Sequence, residues 1–251
     1  MNWRWNEEYL DLILVPIALL IMFSYHLFLL YRYLRFPHTT VMGCEDHYKR
    51  VWVEKTMQLD AKDRGTAIAV INSNIVASTN MTSVSLVLSS LIGTWIGSSS
   101  RKSILSSSVI YGDTRMTITS YKYISLLSCF LVAFASFVQM SRNYTLAAFL
   151  ISMPHCEIPV SYVQKAVIKG SNYWVIGLRA LYFATTLIMW SFGPISMFIS
   201  SVIMVAVLRN QDTTSTQPYL FQSRFRHQNC LMVGEELVTV NRAFGHQERT
   251  M

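Results

Sequence analysis

The side chains able to do chemistry in this 251-residue chain are few, and most are basic or amide groups set against apolar runs. His26, Arg32, Asn72, Asn74, Gln139, Arg142, Asn172 and Arg179 lie within or at the margins of long hydrophobic stretches. Guanidinium forks with amide neighbours suit phosphate or carboxylate, because their N–H groups match two oxygens and a low local dielectric strengthens the contact. Together these residues point to a pocket for an anionic lipid headgroup or a small organic anion. For Arg32, Arg142 and Arg179 a commoner use competes: arginines near span ends snorkel to the headgroups as anchors. His26 sits deeper, beside Tyr25. A histidine there can relay protons or pair with a carboxylate, although a hydrogen-bonded packing role is more frequent.

A second set is spaced rather than clustered. Asn74, Ser78, Thr82, Ser85, Ser89 and Gly93 follow one another in steps of four, four, three, four and four, which puts them on one face of a helix. Hydrocarbon offers no partner for an amide or hydroxyl, so this face must meet other helices or line a polar path. Close packing is the usual role of such a stripe. Gly177, Ala180 and Ala184 would supply another close-approach seam.

Catalytic patterns are missing from the sequence. It contains no HExxH, GxSxG or GxxxxGK[ST], and no pair of carboxylates inside an apolar run. Cys44, Cys129, Cys156 and Cys230 show neither CxxC spacing nor histidines at zinc-ligand distances. The expectation is a non-enzymatic protein without metal or cofactor.

The elements that must position these residues follow from composition. The chain is 52% hydrophobic and only 14% charged, with a mean hydropathy of +0.32, which argues against a soluble domain. Its net charge of +7 does not point to nucleic acid, because Lys and Arg are distributed between apolar runs rather than gathered in one module. An all-α fold is expected, a polytopic bundle of four transmembrane helices at about 10–34, 67–97, 123–141 and 174–208. A short head, 1–9, precedes them, and a polar, disordered tail, 209–251, follows. The run 67–97 has no charged residue, and at ~1.5 Å rise per residue it exceeds a ~30 Å hydrocarbon core. In the first loop HYKRVWVEKTMQL reads as a short helix, either in the headgroup region or on an ordinary surface. The last run contains Gly193-Pro194; a second piece ending at Leu208 would have about 14 residues against the roughly 17 to 25 a span needs, so one kinked span is expected.

Four spans place both termini on one side, and they bring the anion-pocket candidates to one membrane surface. The acidic head (Glu7, Glu8) against Arg32 and Arg35 favours the head outside, although Lys and Arg otherwise divide evenly between the two sides. Expected partners are the bilayer, an anionic lipid or small anion, and a second copy of the chain in a homo-oligomer. The membrane is the plasma membrane or an endomembrane. A transporter or channel subunit, with the stripe of the second span lining the path, is the alternative to a binding role.

Several segments carry a family resemblance: the run 9–43, YLDLILVPIALLIMFSYHLFLLYRYLRFPHTTVMG; SNIVAST from Ser73; LLSCFLVAFASFVQMSRNY from Leu126; and GSNYWVIGLRALYF with WSFGPISMF between Gly170 and Phe198. In their order and wording they resemble the domain of unknown function 599 family of multi-pass membrane proteins, particularly its plant branch. The family pattern has Arg-Asn where this chain has Asn72-Ser73, and Asn-Arg where it has Ile168-Lys169. The resemblance implies a four-helix integral membrane protein and brings no activity and no site.

Overall fold

The computed structural model describes residues 4–97, 116–153 and 158–212, with side chains omitted at 4–10, 38, 95–97 and 116–119. Residues 98–115, Pro154, Cys156, Cys230 and the 213–251 tail lie outside that description. Among the described residues there are six α-helices and no strand: α1 (Arg4–Arg35), α2 (Val41–Gln58), α3 (Gly65–Gly97), α4 (Met116–Ser152), α5 (Val160–Trp190) and α6 (Pro194–Asp212). Five of them, all but α2, contain stretches long and apolar enough to cross a membrane.

The all-helical bundle agrees with expectation; the number of spans does not. The run taken as one kinked span, 174–208, divides into α5 and α6. Gly193 adopts φ 137°, a conformation that side-chain-bearing residues rarely take, and Pro194 opens α6 at a position where its missing N–H costs nothing. The chain reverses over Ser191–Gly193, with the Ser191, Phe192 and Gly193 amides bonded to the carbonyls of Ile188, Met189 and Trp190. The second leg is long enough after all, because it continues past Arg209 to Asp212 and reaches 19 residues, ~28 Å. Arg209 therefore belongs to the last turn of a helix and not to the tail. The described residues thus hold five helices long and apolar enough to cross a membrane where four were expected.

The helices run antiparallel. At one end, the turn face, the α5–α6 reversal lies beside the start of α1, where the Trp190 indole donates to Asp11 Oδ1 at 3.4 Å and Lys122 Nζ sits 5.0 Å from the Trp190 ring centroid. At the other end, the loop face, the end of α1, all of α2, the start of α3, the end of α4, the start of α5 and the end of α6 come together. α4 is central: it packs on α3 and on α5, while α1 packs chiefly on α6. Outward positions such as Leu20, Leu27, Val76, Val87, Leu131 and Ile203 are more than 45% exposed and form the lipid-facing surface.

α3, α4 and α5 have 33, 37 and 31 residues, so at ~1.5 Å each they exceed a ~30 Å hydrocarbon layer by about 15 Å or more. At the loop face these surplus turns pack with α2 around Val53, Ile71, Tyr144, Ile151, Val163 and Val167. α2 is therefore a cap on the bundle. Cys44, Val53 and Thr56 form its buried side, while Tyr48 and Leu59 stay exposed. Thr40 caps its start by accepting from the Gly43 amide, and a Cβ on Gly43 would stand 2.1 Å from the Pro37 carbonyl oxygen. Arg64 ties the cap down by donating to the Leu59, Met57, Ile151 and Met153 carbonyls at 3.0 to 3.4 Å, which satisfies orphan acceptors at the ends of α2 and α4.

Candidate functional site

The residues expected to form one anion pocket fall into three places. The first is a charged group between α1, α5 and α6. Arg179, six residues into the apolar part of α5, donates from one Nη to Asp212 Oδ1 at 2.7 Å, and the Tyr25 hydroxyl donates to the other carboxylate oxygen at 2.8 Å. The Arg179 and Asp212 side chains are 16% and 12% exposed. A guanidinium at that depth needs a counterion, and α6 supplies one from its last residue. Arg179 is thus ion-paired inside the bundle rather than anchored at the headgroups. Its other Nη is buried without a partner, and so is His26 Nε2.

His26 Nδ1 lies 2.7 Å from the Met22 carbonyl oxygen. A carbonyl can only accept, so Nδ1 carries a proton, and in the neutral ring Nε2 presents a lone pair. The ring also rests against Phe183, centroids 4.8 Å apart. His26 and Arg179 line a recess of about 210 Å³ whose other walls are mainly apolar: Leu29, Leu30, Val175 and Ile176, closed above by Tyr33 and Met42. The Tyr33 hydroxyl is already committed to Asp46 on α2 at 2.7 Å. The recess is therefore an apolar chamber bordered by two residues that each hold a buried polar atom without a partner. Arg32 stands outside it, bonded to the Thr39 carbonyl at 3.1 Å and facing the neighbouring 330 Å³ cleft that Tyr25, Arg209 and Asp212 also line.

The second place is the α3–α4 seam. Ser78, Ser85 and Ser89 are buried, and Ser78 Oγ donates across the seam to the Phe137 carbonyl at 2.6 Å. The Thr82, Ser85 and Ser89 hydroxyls donate back to carbonyls one turn earlier, each at 2.8 Å, and the Asn74 amide does the same to Val70 at 2.9 Å. Gly93 and Asn72 are exposed, so neither belongs to the seam. On the far side of α4, a Cβ at Gly177 would lie 2.7 Å from the Phe137 ring; with Ala180 and Ala184, both buried, it lets α5 approach closely.

The third place is an open groove of about 620 Å³ between α4 and α5 near the loop face. Gln139, Arg142 and Asn143 line it together with Lys169 and Tyr173. Arg142 is exposed, as is Lys169. The Asn143 amide is bonded to the Gln139 carbonyl at 2.6 Å. Because Asn143 lies inside α4, the Asn143-Tyr144-Thr145 sequon is helical. Among the described residues no group of three or more His, Cys, Asp or Glu side chains could hold a metal ion.

Asp212, Tyr25 and Lys169 were not singled out from the sequence. For Asp212 a signal existed: an arginine inside an apolar run demands an acid, and Asp212 is one of the few acids within about a turn of the end of such a run. Lys169 gave none, because a lysine between apolar runs looks like any other flanking charge.

No curated protein and no solved structure matches the chain. A family model does, over residues 13–217, a stretch that takes in all five apolar helices and each of the three places above; the chain belongs to the family described as "Protein of unknown function, DUF599".

Proposed function

We propose that this multi-pass membrane protein is a non-enzymatic binder of an acidic amphiphile, a carboxylic acid with an apolar chain, held head-first in the recess between α1 and α5. The observation that carries the reading is a pair of orphaned atoms on two of its lining residues, Arg179 Nη and His26 Nε2, both buried behind the recess wall. Buried polar atoms without partners are costly, and one donor beside one acceptor is the complement of a carboxyl group, whose O–H can donate to Nε2 while its C=O accepts from Nη. Movement of a single proton to His26 converts that pair into an imidazolium and a carboxylate. The apolar walls suit the first carbons of the chain; at ~30 Å³ per water, the same volume would hold about seven waters.

The transporter alternative draws on the α3 stripe, but the Ser78, Thr82, Ser85 and Ser89 hydroxyls are each already bonded to a carbonyl, which supports a packing role. A homo-oligomer has no particular support from the exposed surface, and membership of the plant branch rests on the segments quoted above.

We also read the loop face as cytoplasmic. With five crossings, Arg4, Arg101, Lys102, Arg115 and Lys122 are the five cations on the turn-face side of the chain; of the other 16, Arg179 is ion-paired inside the bundle and 15 lie at or beyond the loop-face ends. The even division under four spans disappears because the fifth crossing carries Arg209 and the tail arginines to the side of the first loop. That is the excess expected of a cytoplasmic face, and it agrees with an outside head. Cysteines introduced at Lys62 and Arg101 test it: Arg101→Cys should label on intact cells and Lys62→Cys only after permeabilisation. Cys44 is a poor reporter because it lies on the buried side of α2.

Binding is tested with carboxyl-labelled decanoic acid and protein in neutral-lipid nanodiscs, followed by carbon NMR. Saturable, one-to-one binding is expected, lost in His26→Phe and in Val175→Trp, which fills the recess without touching a polar group. Binding unchanged in Val175→Trp, or no saturable binding in the wild type, overturns the proposal.

A further inference from the structure

We infer that the α4–α5 groove is a second and separate ligand site, one that seats the phosphate headgroup of an anionic phospholipid from the loop-face leaflet. Arg142 and Lys169 both line it, and neither makes a hydrogen bond or ion pair within the described residues, in contrast to Arg179, Arg64, Arg32 and Lys49, which are all engaged. Two unspent cations on adjacent helices, facing one groove, form a clamp for a group carrying at least two anionic oxygens.

Depth identifies the ligand as a lipid. Contacts at the α4–α5 interface place Gly170 against Tyr144 and Gly177 against Phe137, so Arg142 is level with Asn172 and Lys169 stands about one turn further out. On α5 this is the level at which the largely apolar run from Tyr173 to Trp190, whose one charge is the ion-paired Arg179, gives way to Lys165, Lys169, Ser171 and Asn172. The groove therefore straddles the boundary between hydrocarbon and headgroups, and it opens outward, towards lipid, beside the exposed Leu146 and Phe149. At about 620 Å³ it has room for a headgroup with its glycerol. The identity of the leaflet rests on the orientation read above. If the loop face is cytoplasmic, the groove faces the leaflet that holds most anionic phospholipid. The clamp itself depends neither on that orientation nor on the recess at His26.

Native mass spectrometry of the full chain, released from nanodiscs holding equal amounts of phosphatidic acid and phosphatidylcholine with identical chains, tests the inference. One phosphatidic acid per chain should be retained in preference to phosphatidylcholine. The double variant Arg142→Gln/Lys169→Gln should lower that retention about thirtyfold, the effect of removing two cations at a lipid surface. The charge-matched control Arg35→Gln/Lys62→Gln, outside the groove, should leave it unchanged. Equal retention of the two lipids, or equal losses in the two double variants, would reduce Arg142 and Lys169 to general anchors and overturn the site. Displacement of the lipid by millimolar inorganic phosphate would overturn the lipid assignment in favour of a free-phosphate site. Because His26→Phe leaves the groove intact, its retention of phosphatidic acid separates failure here from failure of the carboxylic acid proposal.

Discussion

Two of the seams in this bundle solve the same problem with different chemistry. Between α3 and α4 the polar groups are hydroxyls, each small enough to be satisfied by a backbone carbonyl within reach, so the seam closes with Ser78, Ser85 and Ser89 buried. Between α1, α5 and α6 the polar groups are an arginine, an aspartate, a tyrosine and a histidine, which no local carbonyl can satisfy together. The arginine, aspartate and tyrosine find one another across three helices, the histidine bonds the Met22 carbonyl through one nitrogen, and two of the group's atoms still have no partner. The hydroxyl seam is finished, whereas the charged seam is incomplete. Polar residues of the first kind organise a membrane fold, and those of the second kind leave it something to bind.

That contrast can be broken most forcefully at Asp212. Asp212→Ala leaves Arg179 buried and unpaired and should cost about 3–5 kcal/mol, read as loss of the folded form in steric-trap unfolding. The double variant Arg179→Leu/Asp212→Leu should recover most of that stability, because replacing both charges removes the desolvation cost along with the attraction. It should also abolish decanoic acid binding, so stability and binding separate only on this seam. Next in size, Gly177→Val drives a side chain into Phe137 and should destabilise by about 1–3 kcal/mol in the same measurement. Tyr25→Phe removes one charge-assisted bond to Asp212 and should cost about 1.5–3 kcal/mol, near the effect at Gly177 and well below that of Asp212→Ala. The smallest effect is expected at Ser78→Ala, about 0.6 kcal/mol, typical of single interhelical hydrogen bonds in membranes. A Ser78→Ala cost as large as that of Asp212→Ala would erase the distinction between the seams.

Legibility from sequence followed the same division. The α3 stripe could be read because its periodicity is local: steps of three and four define a face whatever that face meets. Its partner, the Phe137 carbonyl, could not be read, since every helical residue has a carbonyl. The small-residue seam on α5 was legible for the same reason. The fifth crossing was missed because the apolar run was taken to stop at Leu208; a helix can keep its last turn polar, and Arg209 and Asp212 occupy that turn. The candidate anion pocket was half legible: span ends sharing one face did collect the basic groups, but which helix neighbours which is a tertiary fact. It sent Arg142 to α5's outer side, Arg179 to α6, and Asn72 to an exposed position on α3.

The three-residue reversal at Ser191–Gly193 bears on how the protein is made. A link this short gives α5 and α6 no room to be threaded one at a time with an independent domain between them, so they must enter the bilayer as a hairpin. Arg179 and Asp212 travel in opposite legs of that hairpin; an arginine at the centre of a span opposes insertion by about 2.5–3.5 kcal/mol, whereas Asp212 ends its leg and opposes it less. Arriving together, they neutralise one another at 2.7 Å. The leg that carries Arg179 thus owes its place in the lipid partly to the acid that ends the leg synthesised after it.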